Sequence, residues 1–364
     1  MGKRLWELDL LDDLADDDRC AVLDRSDLGG GANGTSKQSK MSTYKKYVGG
    51  INAYNVKSFG VVGDGVTDDT TAMQSALDTY SFIYIPEGTY ICSNLIITNK
   101  VNITGDGNNS SIKFKTGSTG YLITASVAFT INNIDLDGND NTDKNATVSA
   151  GTRSGLYLSQ IPDGTNINNF SVHGFTNIGI GLNGDSSTRS EAPNFSNISS
   201  YYNFTGIDTG VGAVAGGEYI KLNNITCHRN RTGIIINSGN VVIGSSHFND
   251  NGIGVNITGA YNNAHGSIVG STINHNTVNS FLVEDVTNGF SITACNIFFG
   301  DFSLDNSKGL IISSCVLNSI TMDFTTGGLT IMSNCWFQGT PVINSSSNLI
   351  LNNNYIATTM TPIS

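Results

Sequence analysis

An internal repeat constrains the fold of this 364-residue chain more than any other feature of its sequence. From residue 91 onward, short segments of alternating apolar and polar residues recur with a period of about 20–27 residues, as in a solenoid. Cys295, Cys315 and Cys335 fall into one phase of this repeat. Alternation turns one set of side chains toward a core and the other toward solvent. The repeat therefore predicts a parallel β-helix, with the three cysteines stacked inside as free thiols.

The composition agrees with many short strands joined by polar turns. Hydrophobic residues make up 38% of the chain and charged residues only 13%, whereas a disordered chain combines low apolarity with high charge. The net charge is −11 and no run of Lys or Arg forms a basic patch, so no nucleic-acid partner is expected. The N-terminus has no apolar signal-peptide core and no segment is apolar enough to span a bilayer, so no membrane insertion is expected.

The six cysteines include no Cys-x-x-Cys pair, so no zinc site is expected. Synthesis in a reducing cytoplasm would keep them as thiols. No other pattern indicates a bound metal or an organic cofactor, and we expect the protein to function with none.

The most specific local pattern is NVKSFGVVGDGVTDDTTAMQSALDTYSFIYIPEGTY, which spans residues 55–90. Asp64 and the glycine after it form a turn dipeptide, Thr67 is a good N-cap, and the two aspartates that follow Thr67 suit the first turn of a helix. The next apolar residues are spaced as on one face of a helix. The pattern predicts a short amphipathic helix over residues 68–80, followed by a strand and a Pro-Glu-Gly turn.

This segment resembles the opening motif of the pectate-lyase-like β-helix superfamily, which includes phage tailspikes. That motif has a Gly-Asp-Gly-x-x-Asp-Asp-Thr run, a helix and a Pro-x-Gly-x-Tyr turn. The resemblance implies an all-β fold, a right-handed parallel β-helix (solenoid) with a short N-terminal capping helix, and side-by-side association as a homotrimer. Asp64, Asp68 and Asp69 can be read as metal or catalytic acids, but capping and turn roles account for them fully.

Residues 1–48 differ from the repeats, because they begin acidic, pass through a Gly-rich turn and end basic, with too little apolar material for an independent core. They resemble the short N-terminal segments of phage tail and spike proteins. The resemblance implies a virion-anchoring segment over 1–48 that contacts other virion proteins, followed by the opening motif and capping helix over 49–90 and the β-helix over 91–364. A flexible leader is the alternative reading of residues 1–48.

Aligning the repeats places several polar and aromatic residues in one outward column. Asp137, His173, Tyr201 and His228 occupy the same position on consecutive coils, and Arg229 flanks them. Aromatic rings stack on sugar faces, and Asp and Arg side chains hydrogen-bond to hydroxyl and carboxylate groups. The column therefore predicts a substrate-binding face for a sugar chain. A solvated polar surface, which any β-helix must have, is the alternative.

Long turns after successive strands supply a second group of candidates. Insertions at 184–193 and 210–217 leave the same corner of neighbouring coils and are expected to wall a groove. Glycoside hydrolysis needs two carboxyl groups roughly 5–9 Å apart, and adjacent rungs are about 5 Å apart. The candidate catalytic acids on or beside the insertions are Asp185, Glu191, Asp208 and Glu218. Solvated turn residues are the alternative, and the motifs of polygalacturonases and calcium pectate lyases are absent, so the resemblance transfers no catalytic residue.

These features predict a bacteriophage virion appendage, a tailspike or tail fibre, that recognises a bacterial surface polysaccharide and is made in the host cytoplasm before it joins the virion. Two alternatives stay open. The same β-helix could depolymerise the glycan as a glycoside hydrolase or a polysaccharide lyase, or the protein could be a purely structural decoration of the virion. Two carboxyl groups facing each other in a groove at hydrolase distance would favour an enzyme.

Overall fold

The computed structural model describes residues 19–24, 35–40 and 53–363, except for 141–150, 160–163, 184–192, 212–217, 260–263, 319–320, 325–327, 346–347 and 358–360. Contacts divide the chain into two units, residues 1–53 and 54–364. In the first unit, strands β1 (Arg19–Asp24) and β2 (Thr35–Lys40) form an antiparallel pair. The second unit contains the repeats.

Apart from helix α1 (Thr70–Thr79) and two 3-10 turns (Val56–Phe59 and Gly107–Asn109), the regular structure described in the second unit consists of short strands. The first of them are β3 (Tyr54–Asn55), β4 (Asp64–Asp68), β5 (Phe82–Ile85), β6 (Gly88–Cys92), β7 (Leu95–Ile97), β8 (Asn102–Gly105), β9 (Ser110–Phe114), β10 (Gly120–Ala125), β11 (Thr130–Asp137), β12 (Arg153–Leu158), β13 (Asn166–His173), β14 (Ile178–Leu182), β15 (Asn194–Tyr201), β16 (Thr205–Asp208) and β17 (Lys221–His228). The remaining ones are β18 (Thr232–Ile236), β19 (Val241–Gly244), β20 (His247–Asn249), β21 (Ile253–Thr258), β22 (Gly266–Val269), β23 (Thr272–Asn274), β24 (Asn279–Glu284), β25 (Phe290–Thr293), β26 (Asn296–Phe298), β27 (Asp301–Asp305), β28 (Leu310–Ser313), β29 (Val316–Asn318), β30 (Thr321–Phe324), β31 (Thr330–Ser333), β32 (Trp336–Phe337), β33 (Val342–Ser345), β34 (Leu349–Asn352), β35 (Asn354–Ile356) and β36 (Thr361–Ile363).

Parallel pairing assembles these strands into three sheets. Sheet A pairs, in order, β3, β5, β8, β11, β13, β15, β17, β19, β22, β25, β28, β31 and β34. Sheet B pairs β4, β6, β9, β11, β13, β15, β17, β20, β23, β26, β29, β32 and β35. Sheet C pairs β7, β10, β12, β14, β16, β18, β21, β24, β27, β30 and β33. One passage through sheets A, B and C makes one coil, which confirms the predicted parallel β-helix.

Each coil turns sharply between one sheet and the next. Asn169 and Asn197 stand at the corner between sheets A and B with φ values of 48° and 56°, and Tyr202 and Arg229 stand at the corner between sheets B and C with φ values of 56° and 57°. A positive φ is uncommon for residues with a side chain, and Asn tolerates it better than most. The surrounding structure must therefore hold Tyr202 and Arg229 in this conformation.

A ladder of buried asparagines holds the corner between sheets B and C. Its members are Asn203, Asn230, Asn251 and Asn276. The backbone N–H groups of the first three donate to the Oδ1 atom of the ladder residue on the next coil, at 2.9–3.0 Å. The side-chain amides donate to backbone carbonyls, as Asn230 does to Ser200 at 3.0 Å. The stacked asparagines therefore bond both along the stack and to the backbone.

The core contains the side chains that the repeat turns inward. Cys295, Cys315 and Cys335 are free thiols, each 1% exposed, and each directly precedes a strand of sheet B. In the same sheet, Ile297 pairs with Leu317 and Leu317 pairs with Phe337. The predicted stacking of the three cysteines at one position of successive coils is confirmed.

The helix near the N-terminal end of the β-helix begins later than predicted. Residues Asp64–Asp68 form strand β4, and the N-cap of α1 is Asp69, so neither the N-cap role of Thr67 nor a start at Asp68 is correct. The Asp64 carboxylate accepts hydrogen bonds from two backbone N–H groups of its own turn, including that of Thr67 at 2.7 Å. The buried Asp69 carboxylate accepts from the N–H groups of Val62 and Gly63.

The predicted turn role of Asp64 is therefore confirmed, and Asp68 accepts from the backbone N–H of Thr70, the first helical residue, at 3.1 Å. The capping role predicted for Asp69 is wrong in its contacts, because its side chain makes no cap hydrogen bond and binds the preceding loop instead. Helix α1 buries Met73, Ala76 and Leu77 in the core.

Strand β36 pairs antiparallel with β35 at the other end of sheet B. No helix among the described residues is long and apolar enough to cross a membrane.

Candidate functional site

Strand register brings the predicted column together. Asp137 of β11 pairs with His173 of β13, which pairs with Tyr201 of β15, which pairs with His228 of β17. These four residues end their strands in sheet B, directly before the corner with sheet C. All four are half-buried. The alignment of the repeats is confirmed for this column, because a coil that adds or loses residues in its turns keeps the register of its strands.

The rings of this column form a continuous stack. The centroids of His173 and Tyr201 are 4.7 Å apart with 13° between the ring planes, and those of Tyr201 and His228 are 5.1 Å apart with 27° between planes. The rings therefore repeat at the spacing of the rungs. We call His173, Tyr201 and His228 the aromatic stack. It presents a partly exposed strip of ring edges and faces roughly 10 Å long, two rung spacings.

Charged groups surround the His173 end of the aromatic stack. An imidazole nitrogen of His173 lies 3.3 Å from a carboxylate oxygen of Asp135, and Lys113 Nζ lies 3.2 Å from Asp137 Oδ2. Burial by itself lowers the pKa of His173. The hydrogen bond to Asp135 and the charges of Asp135 and Asp137 outweigh it, so the pKa lies above its ordinary value. Protonated His173 is thus held between two carboxylates.

At the His228 end of the aromatic stack, the neighbouring charged group is a cation and the imidazole is neutral. Arg229 adopts its positive φ at the corner and donates from Nη1 to the Tyr202 hydroxyl at 2.9 Å. Burial lowers the pKa of His228, and the positive charge of Arg229 lowers it further against the opposing effect of Asp250. At neutral pH, the cation at this end is therefore the guanidinium group of Arg229 and the imidazole is neutral.

A groove of about 400 Å³ lies beside the aromatic stack. Ser171 and Ser199 line it on sheet B, Tyr201 stands at one side, and the 3-10 turn Gly107–Asn109 of an earlier coil contributes Gly107 and Asn108. The corner residues Asn169 and Asn197 and the adjacent Phe170 complete the lining. Volumes of this size are typical of small-ligand sites.

Sequence reasoning missed the serines and the turn. Ser171 and Ser199 lie two residues before His173 and Tyr201, so strand alternation alone could have identified them as outward neighbours of the column. The turn Gly107–Asn109 is separated from Ser171 by more than sixty residues along the chain, and no pattern in the sequence indicates their proximity. Strand alternation therefore predicts the positions of Ser171 and Ser199 in the groove. The turn Gly107–Asn109 lies there only because the coils stack on one another.

The predicted acids divide between different parts of the molecule. Asp185 and Glu191 lie outside the described residues, as does most of the insertions expected to wall a groove. Glu218 precedes β17, and its Oε2 accepts from Asn240 at 3.4 Å. Asp208 ends β16 in sheet C, whereas the aromatic stack is in sheet B. Of the four candidate acids, the structure therefore describes only Asp208 and Glu218.

Asp208 stands in a distinct environment on sheet C. Burial raises the pKa of this half-buried carboxyl to about 6, although the backbone N–H of Gly210 donates to it at 2.9 Å, which lowers the pKa. The residue that pairs with it on the preceding strand is Gly181, which leaves that position without a side chain. Two rungs further on in the same column, the buried Asn256 Oδ1 has no hydrogen-bond partner in the described part of the chain. Within the described ranges, no cluster of three or more His, Cys, Asp or Glu side chains could hold a metal ion.

Similarity to curated proteins is confined to part of the chain. Alginate lyase 7 of Azotobacter vinelandii is 36% identical over 132 residues, which make up 30% of this chain and 15% of the relative. The tail spike protein of Shigella phage Sf6 is 33% identical over 104 residues, 24% of this chain and 17% of the relative. The chain thus matches less than a fifth of the length of either relative.

Solved structures share the fold over most of the chain. The N-terminal fragment of bacteriophage phi29 gene product 12 has a TM-score of 0.65 at 18% identity and covers 87% of this chain and 67% of its own. The A-module of Azotobacter vinelandii mannuronan C-5 epimerase AlgE4 has a TM-score of 0.62 at 16% identity and covers 84% and 95%. The model of the rhamnogalacturonase A/epimerase, pectate lyase-like family matches residues 53–256, more than half of the chain. The coil architecture, the opening motif and this match establish that the chain belongs to the rhamnogalacturonase A/epimerase, pectate lyase-like family.

Proposed function

We propose that this protein is part of a phage virion appendage and binds a bacterial surface glycan along sheet B. The observation that carries the proposal is the aromatic stack of His173, Tyr201 and His228, which runs along three consecutive coils beside a polar groove. A β-helix needs no exposed aromatic rings for its own stability, because its core is filled by the inward-facing side chains. Rings at rung spacing are suited to an extended polymer of flat, partly apolar units.

The chemistry of the site fits a sugar chain. Aromatic rings provide apolar contact for sugar faces, and the hydroxyl and amide groups of Ser171, Ser199 and Asn169 both donate and accept hydrogen bonds. Arg229 adds a planar donor at one end that can form paired hydrogen bonds. Each contact of this kind contributes about 1 kcal/mol, so affinity requires several of them in line.

The names of the relatives support the same proposal. A phage tail spike is among the proteins similar in sequence, and a phage gene product is among those similar in fold. An alginate lyase and a mannuronan epimerase act on polysaccharides according to their names. A position on the virion and a polysaccharide ligand are the features that these two groups of relatives suggest for this chain.

Attachment to the virion is assigned to residues 1–48 within this proposal. We expect a chain that begins at residue 49 to fold as a soluble β-helix and to be missing from particles assembled in an infected cell. Quantitative mass spectrometry of purified particles measures its incorporation relative to the full chain. Incorporation at the full-chain level would exclude the anchoring role.

The binding proposal is tested with immobilised capsular polysaccharide and lipopolysaccharide from host cells that the parent phage infects. Tyr201→Ala should weaken binding about tenfold, which corresponds to the loss of about 1.4 kcal/mol. Phe82→Ala is the matched control, because Phe82 is also an exposed aromatic residue but lies on β5 in sheet A, outside the aromatic stack. Equal binding by the wild type and both variants would remove the aromatic stack from the proposal.

Glycan cleavage is a second candidate function, and Asp208 is the observation that favours it. A carboxyl group with a pKa of about 6 is partly protonated near neutral pH, as a general acid requires. Incubation of the same polysaccharides with protein, followed by assays for reducing ends and for unsaturated products, separates hydrolysis from elimination. We expect Asp208→Asn to abolish product formation and to leave binding intact. Absence of product from the wild-type protein would leave a binding protein.

A further inference from the structure

We infer that the last three coils carry a self-association surface, and that its occupant is a second copy of this chain. The surface consists of two outward columns that meet at the corner between sheets A and B. One column is aliphatic and belongs to sheet A, and the other is mostly aromatic and belongs to sheet B. We call their residues together the apolar corner, and its members are Ile311, Ile331, Ile350, Val316, Trp336 and Tyr355.

Strand register aligns the aliphatic column. Ile311 of β28 pairs with Ile331 of β31, which pairs with Ile350 of β34. Ile311 is 43% exposed and Ile350 is 48% exposed. Three isoleucines on adjacent rungs therefore form a ridge parallel to the axis, about 5 Å between neighbours.

The aromatic column stands on the other side of the corner. Val316 of β29 pairs with Trp336 of β32, which pairs with Tyr355 of β35. Trp336 is 40% exposed and Tyr355 is 38% exposed. A partly exposed tryptophan next to an exposed tyrosine is unusual on a free surface and common at protein interfaces.

The same two columns are mainly polar on the preceding coils. In sheet A, the positions before Ile311 are Lys221, Val242, Ser267 and Ser291. In sheet B, the positions before Val316 are Thr226, His247, Thr272 and Asn296. Val242 is the exception. The change from polar to apolar side chains at β28 and β29 shows that the β-helix fold itself does not require this surface.

Charge decreases over the same region. Of the 59 residues from 306 to 364, Lys308 and Asp323 are the only charged ones, whereas 13% of the whole chain is charged. Charged side chains on exposed strands normally prevent association of one β-protein with another. The net charge of −11 resides almost entirely outside these coils, so two copies can approach here with little repulsion.

The arrangement of the apolar corner favours a second copy over a different partner. The apolar corner contains no charged side chain that could form an ion pair with a charged partner. Its two faces differ, so a contact between the aliphatic face of one copy and the aromatic face of the next is heterologous and repeats around a rotation axis. Six partly exposed side chains supply the apolar centre of an interface, and Ser313, Ser333 and Asn352 supply part of a polar rim. Copies joined by such a contact form a closed ring when the rotation from one copy to the next closes on itself.

Light scattering coupled to size-exclusion chromatography of the full chain tests the inference. We expect the wild type to elute at a whole multiple, at least twofold, of the 38.5 kDa mass of one chain, and Trp336→Lys combined with Ile331→Lys to elute at the mass of one. Val242→Lys is the matched control, because it places the same charge in the sheet A column outside the apolar corner. Far-UV circular dichroism checks that each variant is folded. A folded double variant that keeps the wild-type mass, or a monomeric wild type, would overturn the inference.

Tryptophan fluorescence provides a measurement without a disruptive substitution. The chain contains two tryptophans, and Trp6→Phe leaves Trp336 as the only reporter. We expect acrylamide to quench Trp336 poorly at micromolar concentration and several-fold better in Ile331→Lys, which keeps Trp336 and which we expect to separate the copies, because the ring is 40% exposed on a single chain. Equal quenching in both proteins would place Trp336 outside the interface. Glycan binding per chain by the monomeric variant should persist, since the aromatic stack lies on different coils.

Discussion

His173 contacts an aromatic ring with its face and a carboxylate with its edge. Its imidazole lies 4.7 Å from the Tyr201 ring and nearly parallel to it, while its nitrogen lies 3.3 Å from Asp135. The carboxylate thereby fixes the plane of the imidazole, and the imidazole in turn supports the tyrosine. Protonation of His173 should consequently affect both the stability of the coils and the aromatic stack.

The first prediction concerns pH and His173. Its pKa is raised in the folded protein, so its contribution to stability is fully present below its ordinary pKa of about 6.5 and is lost as the pH rises through the folded value. We expect His173→Gln to lower the melting temperature at pH 5 and to have little effect at pH 8. The same exchange at the exposed His247 serves as control. A constant difference across this pH range would contradict the ion pair.

The second prediction concerns Asp208. Its pKa is raised to about 6, so the carboxylate destabilises the folded state above that pH, and the effect disappears as the pH falls toward the ordinary value. Asp208→Asn should stabilise the protein at pH 8 by up to about 3 kcal/mol and should have little effect at pH 4. Urea unfolding at both pH values measures this. Asp301→Asn, at an exposed position of the same sheet, is the control.

The third prediction concerns the buried asparagine ladder. Asn251 accepts from the backbone N–H of Asn230 and donates to the carbonyl of Cys227, at 3.0 Å in both cases. Asn251→Ala leaves both groups buried without a partner and should destabilise the protein by about 2–4 kcal/mol. Asn194→Ala, which removes an exposed amide that bonds to Asn166, should cost less than about 1 kcal/mol. Similar losses for both variants would contradict a structural role specific to the ladder.

The fourth prediction concerns thiol reactivity. Cys92, Cys227, Cys295, Cys315 and Cys335 are buried and free. Burial raises the pKa of the Cys92 and Cys227 thiols, which keeps them in the unreactive protonated form. In a Cys20→Ser variant, a disulfide reagent should label none of these thiols in the native state and all five in denaturant. Rapid labelling of native protein would show that the cysteine register is wrong.

The sequence by itself determined the coil and the register of its strands. Strand alternation has a period of two and the rungs stack like on like, so the phase of Cys295 and Cys315 and the alignment of His173 with Tyr201 could both be read from spacing. Turn lengths did not disturb this reading, because extra residues are accommodated outside the strands.

Tertiary structure decided what depends on contacts between distant coils. Helix α1 starts at Thr70 because the Asp69 carboxylate is anchored by an earlier loop, a contact that helix-capping preferences do not include. The turn Gly107–Asn109 reaches the groove beside Tyr201 only because an earlier coil is stacked next to it. Asp208 and the aromatic stack are separated because a corner with positive φ turns the chain from sheet B into sheet C. Local patterns set the repeating unit, and long-range packing set which of its residues share a site.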